Sequence, residues 1–535
     1  MQPSAKAVPL PDERSEDLGG VDGAMLVNSV DGARRRGWAS LFSLLLFGCG
    51  TSSFSPIESD AGGDETSVIH GGSDATGDVT PPGCDAGADP KDSPACVASS
   101  FGVFVSASAA DDTGDGSKEH PVQKIATALG KTSTGKSRVY MCEGTYPEQV
   151  TVASPVSVYG GFDCGTWSYA TKRVKVAPGA AGIALSITAS NVTVEDVEFD
   201  AKDGAGAGDS SIGAFVSNAQ NVLFRRVTIV TGKGQGAAAA TNGNNYVPAA
   251  APTGLAPIGV TGGVASANTC TNGNTSGGGA GGNGTMALTQ AGTGIWNPAG
   301  TTVTPYDGVG SVGGIATCGS PDPGANGAAK AMASGATRWG TLSASGWSPA
   351  SGSAGGAGNP GQGGGGGGGK TAGVGTGGGS GGAGGCGGGG GAAGSGGGSS
   401  FALLSFSAFV KLEGCTLTSS NAGAGGAGGS AQAGQKGGPG GDPGGGVCGG
   451  TFGGNGAGGS GGGGGAGGLS VAIGYVGVAP TKTSTTSTQG SPGALGGAGA
   501  GAAGGDNLQG NPGAAGPNGT TGKVGMAADA QDLSL

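Results

Sequence analysis

The segment NVTVEDVEF at residues 191–199 recurs thirty residues later as NVLFRRVTI at 221–229. Apolar residues occupy the second, fourth, seventh and ninth positions of both copies. Adding 188 to the second copy places the same pattern in FVKLEGCTL at 409–417, and a weaker copy follows at 469–478. A unit of this size cannot bury its apolar side alone. The copies are therefore expected to stack as rungs of a solenoid around one apolar column.

The sequence before this repeat consists of short apolar runs separated by Gly, Pro or Ser. Such runs are typical of β-strands, and they lie at 103–105, 138–141, 150–152, 156–159 and 174–176. Val122, Ile125, Ala126 and Leu129 instead have helical spacing. One short helix is therefore predicted among the first strands.

Several short motifs in this part resemble the entry of right-handed parallel β-helix proteins of the pectin-lyase-like superfamily. The motifs are FVS at 104–106, GDG at 114–116, HPVQKI at 120–125, EGTY at 143–146 and YGGF at 159–162. In that family the helix covers the open end of the solenoid, which protects an edge that would otherwise template aggregation. The predicted fold class is all-β: a short right-handed parallel β-helix with an N-terminal cap helix and long Gly-rich insertions.

Glycine supplies 131 of the 535 residues, and much of it lies between the rungs. The insertions leave the repeat after residues 231, 419 and 488, so all are expected at one corner of the solenoid. They interrupt no apolar rung position, so they are expected to lie outside the core and to be dispensable for folding. Two interpretations stay open: flexible coil, or three-per-turn polyglycine-type helices that pack sideways because no Cβ separates them. Strings such as GAGGAGG at 423–429 resemble the arrays of PE-PGRS surface proteins.

The N-terminal sequence predicts export. Arg34, Arg35 and Arg36 precede an apolar run of about ten residues, which is too short to span a bilayer. The sequence LFGC at 46–49 resembles the lipobox of bacterial lipoproteins, which implies acyl chains on Cys49 and a location on the outer membrane or cell surface. Residues 1–48 are the predicted signal peptide, with Met25 as an alternative start.

The domain organisation follows from these features. An acidic linker is predicted at 49–100, since Asp, Gly, Ser, Thr and Pro dominate there. The first part of the β-helix is assigned to 101–231, a further rung to 401–419 and a last rung to 469–488. Gly-rich insertions fill 232–400 and 420–468, and a Gly-rich tail covers 489–535.

Ten cysteines suit an exported protein, in which disulfides persist. Cys142 and Cys164 are 22 residues apart, about one turn of a small β-helix, and are expected to pair. Cys84 can pair with Cys96 in the linker. The simplest pairings for the insertions are Cys270 with Cys318 and Cys386 with Cys448. Cys415 occupies an apolar rung position and is predicted to be a buried thiol.

The sequence offers little catalytic chemistry. It has two histidines, His70 and His120, neither on a rung, and no Cys-x-x-Cys motif for zinc. Glu195, Asp196, Glu198, Asp200, Asp203 and Asp209 lie near Arg225 and Arg226, as a calcium-dependent lyase of this fold would require, but stacked ion pairs between rungs on a solvated corner explain them more simply. We predict no catalytic residue, metal or cofactor.

The composition and the N-terminal export sequence together predict a lipid-anchored, non-enzymatic surface protein. It would display its Gly-rich insertions for adhesion, envelope structure or matrix interaction. Its expected partners are the membrane and extracellular polysaccharide or other cells. Nucleic acid is excluded, because the net charge is −10 and no basic patch follows residue 36. The alternatives are a polysaccharide-binding or polysaccharide-cleaving β-helix and an ice-binding or similar regular surface, the latter based on the Thr/Ser run at 481–488.

Overall fold

The repeated segments form successive turns of a parallel β-helix in the computed structural model. The structure describes residues 80–247, 249–284, 291, 295–297, 321–369, 375–443, 448–506 and 511–534. These residues belong to one of the two units into which the chain divides, Asp74–Leu535. The predicted all-β class, with a parallel β-helix, a short helix near its start and long Gly-rich insertions, is confirmed.

The described secondary structure is almost entirely β. Its elements, after a 3-10 helix at Pro94–Cys96, are β1 (Gly102–Val105), α1 (Ile125–Gly130), β2 (Arg138–Cys142), β3 (Gly144–Tyr146), β4 (Val150–Val152), β5 (Ser157–Phe162), β6 (Val174–Val176), β7 (Ile183–Ile187), β8 (Val192–Glu195), β9 (Glu198–Asp200), β10 (Ser211–Ser217), β11 (Val222–Arg225), β12 (Thr228–Val230), β13 (Ala267–Thr269), β14 (Thr275–Gly277), β15 (Ile295–Asn297), β16 (Gly340–Ser343), β17 (Gly346–Pro349), β18 (Ser400–Phe406), β19 (Val410–Glu413), β20 (Thr416–Thr418), β21 (Ser470–Val476), β22 (Thr481–Thr483), β23 (Thr486–Thr488) and β24 (Ala527–Asp532).

Three parallel sheets form the walls of the solenoid. The first has the order β1-β2-β5-β8-β11-β19-β22, the second β3-β6-β9-β12-β20-β23 and the third β4-β7-β10-β18-β21-β24. Val222 pairs with Val192 on one side and Val410 on the other. Ile229 likewise lies between Phe199 and Leu417. The offsets of 30 and 188 found in the sequence are therefore the register between rungs.

The corner between the first and second sheets has a left-handed residue in four successive rungs. Asp196, Arg226, Gly414 and Ser484 occupy equivalent positions there, with φ of 57°, 53°, 61° and 49°. This conformation is uncommon for residues with a Cβ, so the side chains at three of these corners need interactions that hold them.

The two ends of the apolar column are closed differently. At the N-terminal end, α1 packs Ile125 and Ala128 into the core. At the other end, Lys482 takes the position that Leu412 holds one rung earlier, and Ser487 takes that of Leu417. Both side chains hydrogen-bond to Asp529 of β24. The last rung thus carries a polar layer, as the terminal repeat of a solenoid requires.

All the Gly-rich insertions leave the solenoid at one corner, as the sequence predicts. They connect the second sheet to the third in four successive turns, at residues 201–210, 231–399, 419–469 and 489–526. The prediction that 489–535 is a Gly-rich tail is therefore only partly correct. Its final part returns to the solenoid as β24, which pairs with β21.

Part of the longest insertion covers the outer face of the third sheet. The hairpin of β16 and β17 places Leu342 and Trp347 against Phe401, with the Trp347 and Phe401 ring centroids 5.1 Å apart. Ile212 and Phe215 of β10 belong to the same cluster. The central strands of the third sheet, β10, β18 and β21, are therefore largely buried on both faces, although the sequence predicted that this insertion lies outside the core.

The linker predicted at 49–100 includes a packed segment at its end. Tyr140 Oη donates to the Cys96 carbonyl at 2.6 Å, and Arg138 Nη2 donates to the Ala86 carbonyl at 2.5 Å. Cys96 is fully buried and Val97 is 5% exposed. Residues 80–100 therefore pack on the first sheet. The rest of the predicted linker, the signal peptide and Cys49 lie outside the described residues.

Candidate functional surface

Two acids of the predicted carboxylate cluster, Glu195 and Asp196, lie at the corner between the first and second sheets, where they form ion pairs with two arginines. Arg225 Nη1 donates to Glu195 Oε1 at 2.9 Å, and Arg225 Nε donates to Glu413 Oε2 at 2.8 Å. Arg226 Nε donates to Asp196 Oδ1 at 2.9 Å. These pairs connect three successive rungs, as the ion-pair interpretation predicts.

Arg226 is the point at which three carboxylates meet. Its Nη2 lies 2.5 Å from Asp89 Oδ2, 2.7 Å from Asp196 Oδ2 and 3.1 Å from Glu195 Oε2. The three acids are close enough together to hold a metal ion, but the guanidinium group binds all of them. Asp89 covers the corner from outside, so the Glu195 side chain is only 3% exposed. The sequence predicts that this corner is solvated, and that prediction is wrong for Glu195.

The remaining carboxylates of the cluster also bind groups of the chain itself. Their partners are Arg173 and Lys175 for Glu198, Lys175 for Asp200, the amide of Lys233 for Asp203 and the amide of Gly206 for Asp209. Every acid that the sequence singled out therefore has a structural partner. This arrangement favours an ion-pair role over calcium binding.

Burial gives Glu195 an unusual titration, which can be measured. Its pKa is raised to about 7, because burial and then the charge of Asp89 outweigh the opposing effect of Arg225 and Arg226. The folded protein therefore holds a proton that the unfolded chain releases near pH 4.5. The free energy of unfolding should fall by up to about 3 kcal/mol as the pH rises from about 4.5 to about 7.

Glu195→Gln is the matched variant for this prediction, because the amide keeps the shape of the side chain and cannot titrate. Urea unfolding of both proteins at pH 5 and at pH 7.5 measures the effect. Wild type should lose stability between the two values, and the variant should lose clearly less. Equal losses in the two proteins would contradict the assignment of this proton to Glu195.

The cysteines are brought together partly as the sequence predicts. Disulfides link Cys84 with Cys96 and Cys142 with Cys164, the latter with Cα atoms 4.9 Å apart. Cys415 is a free, buried thiol. The third disulfide joins Cys270 to Cys386. The pairings Cys270–Cys318 and Cys386–Cys448 are therefore wrong.

The reason for this error is that the insertion folds back on itself. Asn268 of β13 donates to the Gly384 carbonyl at 2.9 Å, which places the neighbouring Cys270 beside Cys386 across 116 residues of chain. Sequence proximity was the wrong guide. Cys448 is also disulfide-bonded, and Cys318 lies outside the described residues.

The Gly-rich insertions form a hydrogen-bonded bundle of extended runs, which settles the alternative left open by the sequence. In the run 448–469, three successive amides donate to three different neighbouring runs: Gly462 to Gly429, Gly463 to Ser353 and Gly464 to Thr520, each at 2.9 Å. The pattern then repeats at steps of three residues. This period is that of a polyproline-type helix with three residues per turn, and the described runs are therefore packed polyglycine-type helices.

Three of these runs continue the strands of the second sheet without changing neighbours. The amides of Thr231, Gly234, Ala237 and Ala240 donate to carbonyls 187 residues further on. Those of Ser419, Ala422, Gly425 and Gly428 donate to carbonyls 69 residues further on. The chains starting at β12, β20 and β23 therefore lie side by side from the sheet into the Gly-rich layer.

The outward side chains of these three chains form one surface, which we call the Thr/Ala face. Its members are all exposed or half-buried: Thr228, Val230, Lys233, Gly236, Ala239 and Asn242 on the first chain, Thr416, Thr418, Asn421, Ala424, Ala427 and Ser430 on the second, and Thr486, Thr488, Ser491, Ala494, Gly497 and Ala500 on the third.

Contacts between the chains support this alignment. Thr416 pairs with Thr228 on one side and Thr486 on the other. Further along, the Ser491 amide donates to Asn421 Oδ1 at 2.8 Å. A Cβ on Gly497 would lie 3.9 Å from the Cβ of Ala427, on the same side of the layer.

The chemistry of the Thr/Ala face is uniform. Neighbouring strands lie about 4.8 Å apart, and outward residues repeat about every 9.3 Å along a three-per-turn helix. The side chains are hydroxyls, methyl groups and amides, and Lys233 is the single charge among the eighteen positions. The face can therefore make many weak, evenly spaced contacts and offers no group for acid-base or nucleophilic chemistry.

Reasoning from the sequence missed this surface, although a signal was present. The offset of 188 that relates rungs also relates Gly236 to Ala424 and Ala239 to Ala427, and an offset of 70 relates Ala424 to Ala494. Extending the rung register into the insertions would have aligned the three chains.

Comparison with known proteins adds no relative: no family model, curated protein or solved structure matches this chain. Among the described residues, no helix has both the length and the apolar character needed to cross a membrane.

Proposed function

We propose that this chain is a non-enzymatic, lipid-anchored surface protein that adheres to other material through its Thr/Ala face. The observation that carries the proposal is the continuity of that face from strands β12, β20 and β23 of the second sheet into the Gly-rich layer. A solenoid holds one edge of the layer, and hydrogen bonds hold its runs to one another. The layer is therefore a rigid display rather than a flexible tether.

The proposed location rests on the N-terminal sequence and on the cysteines. The lipobox-like sequence at 46–49 would place acyl chains on Cys49, and two or more chains are enough for stable anchoring. Disulfides such as Cys84–Cys96, Cys142–Cys164 and Cys270–Cys386 are typical of proteins outside the cytoplasm. We place the protein on the outer membrane or cell surface.

The chemistry of the face indicates the kind of partner. A surface with one charge gains little from an acidic or basic ligand, whereas hydroxyl and amide groups can hydrogen-bond to a neutral polysaccharide. Because each contact is weak, affinity must come from their number. We therefore propose neutral matrix polysaccharide or the surface of another cell as the partner.

Two lysine pairs test this function. Ala424→Lys with Ala427→Lys adds two charges to the middle chain of the face. Ala328→Lys with Ala331→Lys adds them at the same spacing to the exposed positions of another run. We expect the face variant to lose at least about tenfold in binding to whole cells of the producing strain and to cellulose particles, and the control pair to bind as wild type does.

Both variants should melt at the temperature of the wild-type protein, since all four positions are exposed. Wild-type binding by the face variant, with the fold intact, would contradict the proposed function. Equal loss in both variants would show that added charge acts without regard to the face, and would contradict it as well.

A further inference from the structure

The first chain of the Thr/Ala face ends in a turn that exposes large aliphatic side chains. The run that starts at residue 231 reaches Ile258, turns at Gly259, which has φ of 59°, and returns through Thr261. Leu255, Ile258, Val260 and Val264 lie on or next to this turn, and we call them the apolar tip. Their exposed fractions are 53%, 84%, 48% and 67%.

This concentration sets the apolar tip apart from the rest of the surface. Ten large hydrophobic residues are exposed among the described residues, and four of them fall within the ten positions 255–264. Single exposed hydrophobic residues are normal, whereas a cluster of them marks an interaction site. The other six, such as Met332 and Val524, lie elsewhere in the sequence.

The surrounding sequence carries no charge. Between Lys233 and Asp307 there is no Asp, Glu, Lys, Arg or His. In an ordinary protein about a quarter of residues are charged, and protein-protein interfaces usually have a polar rim. A segment without charge can instead enter a medium of low dielectric constant without the cost of desolvating an ion.

Part of the backbone of the tip is already hydrogen-bonded within the protein. Ile258 and Thr261 exchange two amide-to-carbonyl bonds of 3.0 Å. The Leu255 amide donates to Ser380 Oγ at 2.7 Å, and the Gly263 amide donates to the Gly378 carbonyl at 2.8 Å. Most loops stay out of lipid because their backbone groups would lose hydrogen bonds to water there. The amides named here do not pay that cost, since they are bonded within the protein.

We infer that the apolar tip inserts its aliphatic side chains into the surface of a lipid bilayer. Exposed aliphatic groups, a segment with no charge of its own and several paired backbone amides all suit the boundary between headgroups and acyl chains. The tip belongs to a rigid layer, so insertion orders no additional chain. This inference is independent of the Thr/Ala face and of the anchor at Cys49.

Vesicle sedimentation tests the inference with the full chain carrying Cys49→Ser, so that no acyl chain contributes. The wild-type tip should bind neutral phosphatidylcholine vesicles, and raising the salt from about 0.1 to about 1 M should not weaken binding, because no charge takes part. Ile258→Asp with Val264→Asp should reduce the bound fraction at least about tenfold, in line with the cost of taking a carboxylate into lipid.

The matched control is Met332→Asp with Val524→Asp. It changes two exposed aliphatic residues outside the tip, whose exposed fractions are 57% and 56%. It should bind vesicles as the parent chain does. Wild-type binding by the tip variant would overturn the inference. Binding that requires anionic lipid would overturn it too. The inference would also be overturned if the parent chain did not bind vesicles and formed dimers that the tip variant abolishes, since the partner would then be a second copy.

Discussion

Gly462→Ala is expected to lower the free energy of unfolding by about 1–3 kcal/mol, although alanine is the smallest side chain that can be added. A Cβ at this position would lie within 3.0 Å of backbone atoms of Ala392, in a run that has neighbours on several sides. Backbone cannot move aside as the end of a side chain can. The whole run 448–469 would have to shift.

Gly236→Ala is the matched control for this substitution. Its added Cβ points outward on the Thr/Ala face and meets no atom closer than 3.9 Å. Here the loss of freedom in the unfolded chain dominates, so the variant should be unchanged or more stable by about 0.4–1 kcal/mol. Denaturant unfolding of the three proteins gives the comparison. Equal stability of the two variants would mean that the interior of the layer is not packed.

Replacing residues 233–398 with a short Gly-Ser loop is expected to abolish the folded protein, with a loss comparable to the whole stability of a domain, about 5–15 kcal/mol. The sequence alone predicts the opposite, because this stretch interrupts no apolar rung position. The structure shows two losses. The hairpin that covers Phe401 and Leu404 would be removed, and the runs 420–443 and 448–469 would lose hydrogen-bonding neighbours.

Circular dichroism and a thermal melt of the replaced chain measure this effect. We expect little soluble protein and no cooperative transition. Trp347→Ala is a milder variant that removes one side chain of the covering hairpin. It should lower the free energy of unfolding by about 1–3 kcal/mol, less than the loss of a fully buried Trp would. A replaced chain that melts as wild type does would show that the insertion is an appendage.

The solenoid could be predicted from the sequence because its apolar positions repeat. The pairing of Val222 with Val410 and of Ile229 with Leu417 follows from one offset, and the corner from which the insertions leave follows from the same count. Periodic burial leaves a periodic pattern, which can be read without any knowledge of tertiary contacts.

The errors lie where distant parts of the chain meet. Residues 80–100 have the composition of a linker, yet Asp89 binds Arg226, a contact that their own composition does not show. The partner of Cys386 was missed for the same reason, since Cys270 reaches it only through the folding of the insertion. The sequence does not decide whether the Gly-rich runs are ordered, because glycine is common both in flexible coil and in packed polyglycine helices.

Site-resolved hydrogen exchange in the run 420–443 tests the central claim, that these runs are packed three-per-turn helices displaying every third residue. Gly425, Gly426, Gly428 and Gly429 donate amides to neighbouring runs, while Ala424 and Ala427 lie on the Thr/Ala face with amides that donate to no described residue. We predict two slow amides and one fast amide in each turn, with the slow ones retarded about 10³-fold or more. Uniformly fast exchange through 423–429 would contradict the account.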